Sequence, residues 1–173
     1  MTRLPIKNRL PYLGVLLAFS LILSYVESMI PLPFAVPGVK IGLSNLPVLL
    51  CILIIGPADA LFLAVLKALL SSLLFGNGTM LIYSLAGALS SCLVMILSSG
   101  CLKLHAPAIS ALGGVFHNLG QMTAAALIMG LKGLFWYLPV LILSGLITGL
   151  LLGIPAELLL PRIRKIINKG ETI

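Results

Sequence analysis

Long apolar runs follow one another along almost the whole chain, and polar residues interrupt them at only a few places. A run of about 20 apolar residues is long enough to cross a lipid bilayer as an α-helix. The runs predict six membrane-spanning helices, at residues 12–30, 41–55, 57–75, 79–101, 107–130 and 134–160. The second is short for a bilayer, so we expect it to begin within the preceding loop or to be shielded by its neighbours. The pattern predicts an all-α protein with a single polytopic membrane domain over residues 1–173.

The longest interruption of this pattern runs from residue 25 to residue 45. It contains Pro31, Pro33 and Pro37, and each proline removes an N–H donor and crowds the preceding turn of a helix. One continuous helix therefore cannot cover it. We predict that the first span ends here, that an ordered loop follows over residues 31–40, and that the second span then begins.

Composition agrees with a membrane protein. The chain is 60% hydrophobic and 9% charged, with a mean hydropathy of +1.21. Soluble domains carry about 25% charged residues. The basic N-terminus leads into an apolar run as a signal peptide would, but prolines follow that run instead of a small-residue cleavage site, so we expect a retained first span.

The net charge of +7 is placed at the ends of the predicted spans. If both termini are cytoplasmic, eight basic residues lie inside, namely Arg3, Lys7, Arg9, Lys103, Arg162, Arg164, Lys165 and Lys169. Only Lys40 and Lys132 then lie outside. The positive-inside rule favours this orientation, and anionic headgroups explain the charge better than a nucleic-acid surface does.

Lys67 and Glu27 are charged residues within predicted spans. A lone ammonium near the middle of a span costs about 3 kcal/mol on insertion scales, so Lys67 is predicted to be functional or paired. The alternative is that Lys67 reaches along its stem toward an interface. Glu27 lies one turn before the outer end of the first span. It either binds a ligand, lies at headgroup level, or closes the bundle by pairing with Lys40 or Lys67.

His117, Asn118 and Gln121 form a polar group halfway along the fifth span. His117 and Gln121 share one helix face, while Asn118 is turned from His117 by about 100°. Such side chains need partners in the bundle or in water, and hydrogen bonds between helices would be enough to explain them. The functional hypothesis is that polar residues of four spans converge on one outward-facing substrate cavity. The residues predicted to line it are Glu27, Lys40, Asn45, Lys67, His117, Asn118 and Gln121.

Small residues recur at the spacing used for helix packing in membranes, as Gly14-x3-Ala18 in the first span and Gly145-x3-Gly149-x3-Gly153 in the sixth. Such steps let two helix backbones approach closely. Packing within the bundle is the favoured interpretation. Docking of a partner membrane protein is the alternative.

The sequence gives little support for catalysis or metal binding. Asp59 is the only aspartate, so an Asp-rich motif for magnesium and diphosphate is absent, as are a P-loop and an HExxH motif. Cys101 and His105 have an i, i+4 spacing, but two ligands do not make a metal site. We expect Cys51, Cys92 and Cys101 to be ordinary buried thiols. The chain is therefore predicted to be neither an enzyme nor, alone, an ATP-driven pump, and to bind no cofactor.

Three motifs carry a resemblance to a known family. They are Tyr25-Val-Glu-Ser-Met-Ile-Pro-Leu-Pro-Phe34, Pro37-Gly-Val-Lys-Ile-Gly-Leu-Ser-Asn45 and His117-Asn118-x2-Gln121. In these motifs and in their order the chain resembles the Gx transporter family, also labelled heptaprenyl diphosphate synthase component I. The layout is also similar to the substrate-binding S components of energy-coupling factor (ECF) importers.

The S-component resemblance implies a six-helix subunit that captures a vitamin-type small molecule from outside. Because Lys40 and Lys67 outnumber Glu27, we expect a ligand with an anionic or carbonyl-rich head, such as an isoprenoid or quinone precursor. It also implies docking on a transmembrane coupling protein driven by two ATPases. The docking step of that family, Ala-x3-Ala in the first helix, falls here on Gly14 and Ala18. The synthase label implies a non-catalytic membrane subunit associated with heptaprenyl diphosphate synthase. A self-contained channel or carrier is a third hypothesis.

Overall fold

The computed structural model describes residues 9–29, 42–130 and 136–170, with side chains described up to residue 166 of the last segment. In these ranges the chain forms six α-helices, α1 Arg9–Ser28, α2 Leu46–Ile54, α3 Pro57–Phe75, α4 Gly78–Gly100, α5 Ala106–Met129 and α6 Leu138–Gly170. A 3₁₀ turn, Leu43–Asn45, leads directly into α2. The described part contains no β-strand, which confirms the all-α prediction.

Four helices are long and apolar enough to cross a membrane, namely α1, α3, α4 and α6. The chain is thus a multi-pass membrane protein. The nine residues of α2 extend only about 13 Å, less than half of a bilayer core. α5 has 24 residues but is not among these four helices. For α2 and α5, a full crossing stays a prediction.

Consecutive helices from α3 to α6 pack side by side, and α1 lies against α3, α2 and the 3₁₀ turn. α5 and α6 approach most closely where Gly114 meets Gly145. A Cβ atom added at Gly145 would lie 2.6 Å from the carbonyl oxygen of Gly114, which is too close for any side chain. Gly149 and Gly153 also face the α5 backbone. The structure therefore supports the internal-packing interpretation of the α6 glycines.

The interior of the bundle has an apolar region at each end and a polar region between them. The main apolar core surrounds α2, with Leu49, Ile55 and Leu63 among its fully buried side chains. At this end Arg9 of α1 pairs with Asp59 of α3 at 3.1 Å, and we call it the Arg9 end. The opposite end has a smaller apolar cluster, formed by Tyr83, Met122 and Ala125. The polar residues considered next lie between the two.

Candidate functional site

Glu27, on the last turn of α1, turns its carboxylate into the bundle and is 4% exposed. It accepts hydrogen bonds from the backbone N–H groups of Gly42 and Leu43, the latter at 3.2 Å, and from the Ser44 hydroxyl at 3.5 Å. The first N–H groups of a helix lack intrahelical acceptors and carry partial positive charge. The carboxylate of α1 therefore caps the start of the helical run that leads into α2.

The position of Gly42 explains how one carboxylate reaches two successive N–H groups. Its φ is +96°, in the left-handed region that favours glycine. A Cβ atom there would lie 3.2 Å from Asn45 Nδ2 and 3.5 Å from His117 Cδ2. The backbone at residue 42 thus packs directly against the His117 ring of α5. A larger residue would disturb both the turn and this contact.

Lys67, eleven residues into α3, is 3% exposed. Its Nζ donates to Asn45 Oδ1 at 2.7 Å, to Ser44 Oγ at 3.2 Å and to the Ser44 carbonyl oxygen at 3.3 Å. The side chain is held inside the bundle by these hydrogen bonds; whether Lys67 also binds a ligand stays a prediction. Its ammonium is solvated by the residues that precede α2.

Ser44 connects the two buried charges. Its hydroxyl donates toward Glu27 Oε2 and accepts from Lys67 Nζ. Opposite charges linked in this way offset part of the cost of removing each from water. The network joins α1, the 3₁₀ turn and α3, which are far apart in sequence.

A small cavity lies beside this network, with room for roughly one water molecule. Its lining side chains come from the 3₁₀ turn, α3, α4 and α5, and they are Ser44, Lys67, Ala68, Ser71, Ser84, His117 and Gln121. Most of its polar groups can donate hydrogen bonds, namely an ammonium, three hydroxyls and an amide. The Ser84 hydroxyl has no hydrogen-bond partner in the described part of the chain. The lining therefore presents mainly donors to any oxygen acceptor placed there.

The polar group of α5 is divided between two faces. His117 and Gln121 are buried and line the cavity, as their i, i+4 spacing predicts. Asn118 faces α6, where its Nδ2 donates to the Leu141 carbonyl oxygen at 2.8 Å and to Ser144 Oγ at 3.3 Å. For Asn118, the alternative of an interhelical hydrogen bond is the one observed.

Of the seven predicted lining residues, five meet around the network, and they are Glu27, Asn45, Lys67, His117 and Gln121. Lys40 and the rest of the 31–40 loop lie outside the described residues. Sequence reasoning missed Ser44, Ser71 and Ser84. Ser71 follows Lys67 by four residues and so shares its helix face, a signal that was available.

The small-residue step of α1 differs from that of α6. Gly14 and Ala18 are both exposed, and a Cβ atom added at Gly14 would meet no described atom within 4 Å. No described residue covers this face of α1 at Gly14. Its predicted use in docking stays a prediction.

The three cysteines are free, but one differs from expectation. Cys51 and Cys92 are buried, as predicted. The prediction was wrong for Cys101, which is exposed because it lies one residue beyond the end of α4. His105 lies near Glu157, with Nδ1 3.7 Å from Oε1. The described residues contain no group of three side chains that could hold a metal ion.

Comparison with known proteins gives one match. A family model described as heptaprenyl diphosphate synthase component I matches residues 16–159. This range includes Glu27, the 3₁₀ turn and every residue that lines the cavity. No curated protein and no solved structure matches the chain.

Proposed function

The chain belongs to the heptaprenyl diphosphate synthase component I family, and we propose that it is the substrate-binding membrane subunit, or S component, of an ATP-driven ECF-type importer. The observation that carries the proposal is the buried Lys67 beside a donor-lined cavity. An ionisable residue inside a membrane bundle is costly and typically marks a substrate or ion site. A subunit that only joined helices would not need this combination of ammonium and cavity.

The donors favour a substrate with an anionic or carbonyl-rich head. Lys67, Ser84 and Gln121 present N–H and O–H groups on three helices. The neighbouring interior is aliphatic, which suits an apolar remainder. A small vitamin or an isoprenoid or quinone precursor combines the two properties.

The proposed orientation places both termini in the cytoplasm and lets six helices cross the membrane. The Arg9 end then faces inward, where Arg164 Nη2 also reaches the Leu53 carbonyl oxygen at 3.3 Å. The Glu27 end of α1 faces outward, so a substrate reaches Lys67 from outside. The positive-inside rule supports this choice.

ATP hydrolysis is assigned to partner subunits, because an S component needs no catalytic step of its own. We propose that a transmembrane coupling protein with two ATPases docks on the exposed face of α1 around Gly14 and Ala18. Small residues on an open face allow close approach of a partner helix.

The family description favours a second candidate function. It fits a non-catalytic membrane subunit that associates with heptaprenyl diphosphate synthase. In that case the network around Lys67 would only hold helices together, and no ligand would be needed.

Native mass spectrometry of the detergent-purified protein from its own host separates the two candidates. Co-purification with a coupling protein and ATPases, or with a stoichiometric small molecule, would support the importer subunit. A ligand-free protein bound to a soluble prenyl synthase would overturn it. Transport by the protein alone in liposomes would instead indicate a self-contained carrier.

A further inference from the structure

The cavity beside Lys67 is much smaller than a ligand site. Pockets for small molecules measure about 300–1,000 Å³, whereas this cavity accepts roughly one water molecule. The neighbouring space is filled by Ser44 and Asn45, which lie against the Lys67 ammonium. A ligand head that contacts Lys67 must therefore take space that these two residues hold.

Ser44 and Asn45 present to Lys67 what an anionic head would present. Three oxygen atoms lie within 3.3 Å of Nζ, a carbonyl, a hydroxyl and a side-chain amide oxygen. Carboxylate and phosphate groups bind ammonium through the same kind of close oxygen contacts. We propose that Ser44 and Asn45 are an internal substitute for the ligand, which occupies Lys67 in the ligand-free protein and is displaced by a carboxylate or phosphate head. This inference rests on the proposed function.

Two buried donors support the exchange. Asn45 Nδ2 and Ser84 Oγ have no hydrogen-bond partner in the described ranges, although both residues are more than nine-tenths buried. A buried donor without an acceptor costs free energy. Oxygen atoms of a ligand head next to Lys67 lie within the reach of the Ser84 hydroxyl, which lines the same cavity.

The Lys67 ammonium attracts an anionic head more strongly than a cationic one, although Glu27 already balances part of its charge. Ser44 links the Lys67 ammonium to the Glu27 carboxylate. When Ser44 moves away, the ammonium loses a hydroxyl and a carbonyl oxygen, which the oxygen atoms of a ligand head can replace. A cation at the same position would add a second positive charge.

The exchange requires that residues 44 and 45 can leave Lys67, and the accessibility of a cysteine at position 71 reports this motion. Ser71 lines the cavity and is 2% exposed. In Ser71→Cys, the thiolate attacks the sulfenyl sulfur of 2-sulfonatoethyl methanethiosulfonate, which forms a mixed disulfide and releases methanesulfinate. Peptide mass spectrometry separates this product from modification of native cysteines.

Asn45→Ala removes the 2.7 Å hydrogen bond between Lys67 Nζ and Asn45 Oδ1. Loss of one hydrogen bond to a charged group should shift the opening equilibrium, and with it the modification rate of the cysteine at position 71, about tenfold upward. Asn118→Ala is the matched variant, because it also removes a buried amide but on the α6 side. It should leave the rate within about twofold. An equal increase in both variants, or none in Asn45→Ala, would overturn the displacement.

A cationic reagent of similar size, 2-(trimethylammonium)ethyl methanethiosulfonate, tests the charge of the head. The exposed native Cys101 serves as the internal reference for the intrinsic reactivity of each reagent. After this correction, the anionic reagent should react faster at position 71 by roughly tenfold, and Lys67→Met should abolish the preference. A cationic or absent preference would contradict an anion site.

Failure here and failure of the proposed function are distinguishable. Rates at position 71 depend only on this chain, whereas the importer role is decided by the partners and ligands that co-purify with it. A confirmed importer complex together with unchanged modification rates would remove the internal substitute and leave the function standing.

Discussion

Two glutamates in this protein cap the start of another helix, but in opposite surroundings. Glu27 of α1 caps the run into α2 and is 4% exposed. Glu157 of α6 accepts from the Ala106 N–H at the start of α5 at 2.8 Å, and its side chain is 44% exposed. The same local interaction therefore has different requirements. The second carboxylate lies partly on the surface of the bundle beside His105, whereas the first is buried and linked through the hydroxyl of Ser44 to a buried positive charge, Lys67.

The comparison teaches that a buried cap constrains residues well beyond the helix that it caps. Glu157 is half exposed, and the ionisable group that the structure places near it is His105. Glu27 requires Gly42 with positive φ, Ser44 with a hydroxyl, and a lysine on a third helix. Four experiments test this difference, and they follow from the largest expected effect to the smallest.

Glu27→Ala should cause the largest loss of stability. It removes the acceptor of two N–H groups and leaves the Lys67 ammonium buried without its opposite charge, which costs about 3–5 kcal/mol. The measurement is the thermal unfolding midpoint of the purified protein in detergent. Glu27→Gln keeps an oxygen acceptor and should lose less. Equal losses for both variants would show that the negative charge contributes nothing.

The two buried charges should be coupled. Lys67→Met alone removes the positive charge that Ser44 links to Glu27, whereas the double variant Glu27→Gln, Lys67→Met removes both charges. We expect the double variant to be more stable than the sum of the single losses predicts, by roughly 1–3 kcal/mol. Denaturation curves of the four proteins give this coupling energy. Additive losses would mean that Ser44 does not connect the charges energetically.

Gly42→Ala should cost about 1–3 kcal/mol, because alanine is strained at positive φ. Gly130→Ala is the matched variant. Gly130 also has positive φ, +63°, but an added Cβ atom would meet no described atom within 4 Å. Any loss beyond that of Gly130→Ala reports the contact with Asn45 and His117. Similar thermal midpoints for Gly42→Ala and Gly130→Ala would show that this contact does not contribute to stability.

Glu157→Ala should have the smallest effect, roughly 0.5–1 kcal/mol, as expected for an exposed cap. Because this carboxylate is 44% exposed, we expect its contribution to decrease in about 1 M salt, where charges are screened beyond about 3 Å. The Glu27 effect should not change in the same series. A salt-insensitive Glu157 would indicate that its surroundings exclude ions.

Much of the fold follows from hydrophobic runs alone. Each helix lies where a run predicts it, and Gly56-Pro57 separates α2 from α3 as expected. The start of α2 could not be predicted from these runs. Its run predicts a span from residue 41, but the structure starts the α-helix at Leu46, because Gly42 and Ser44 are held by Glu27 and Lys67. Only three-dimensional contact between three segments determines that boundary.

The residues of the candidate site also include some that the sequence predicts and some that it does not. Charged and amide residues in apolar spans are rare, so Glu27, Lys67 and Gln121 can be found from sequence. Serines cannot, because most serines in apolar helices bond to their own backbone, as Ser90 does to the Ala86 carbonyl oxygen at 2.7 Å. Nothing in the sequence distinguishes Ser84 from Ser90. Likewise, helical periodicity predicts that Asn118 and His117 lie on different faces of α5, but it does not predict that the face with Asn118 packs against α6.

The contact between Gly114 and Gly145 provides a fixed reference frame for distance measurements on this protein. Backbones that touch leave no side chains between them to repack, so α5 and α6 move together. Spin labels at the exposed positions Leu127 of α5 and Leu151 of α6 should keep a constant separation in every state. A change in distance between Leu151 and Val15 would therefore measure displacement of α1 itself.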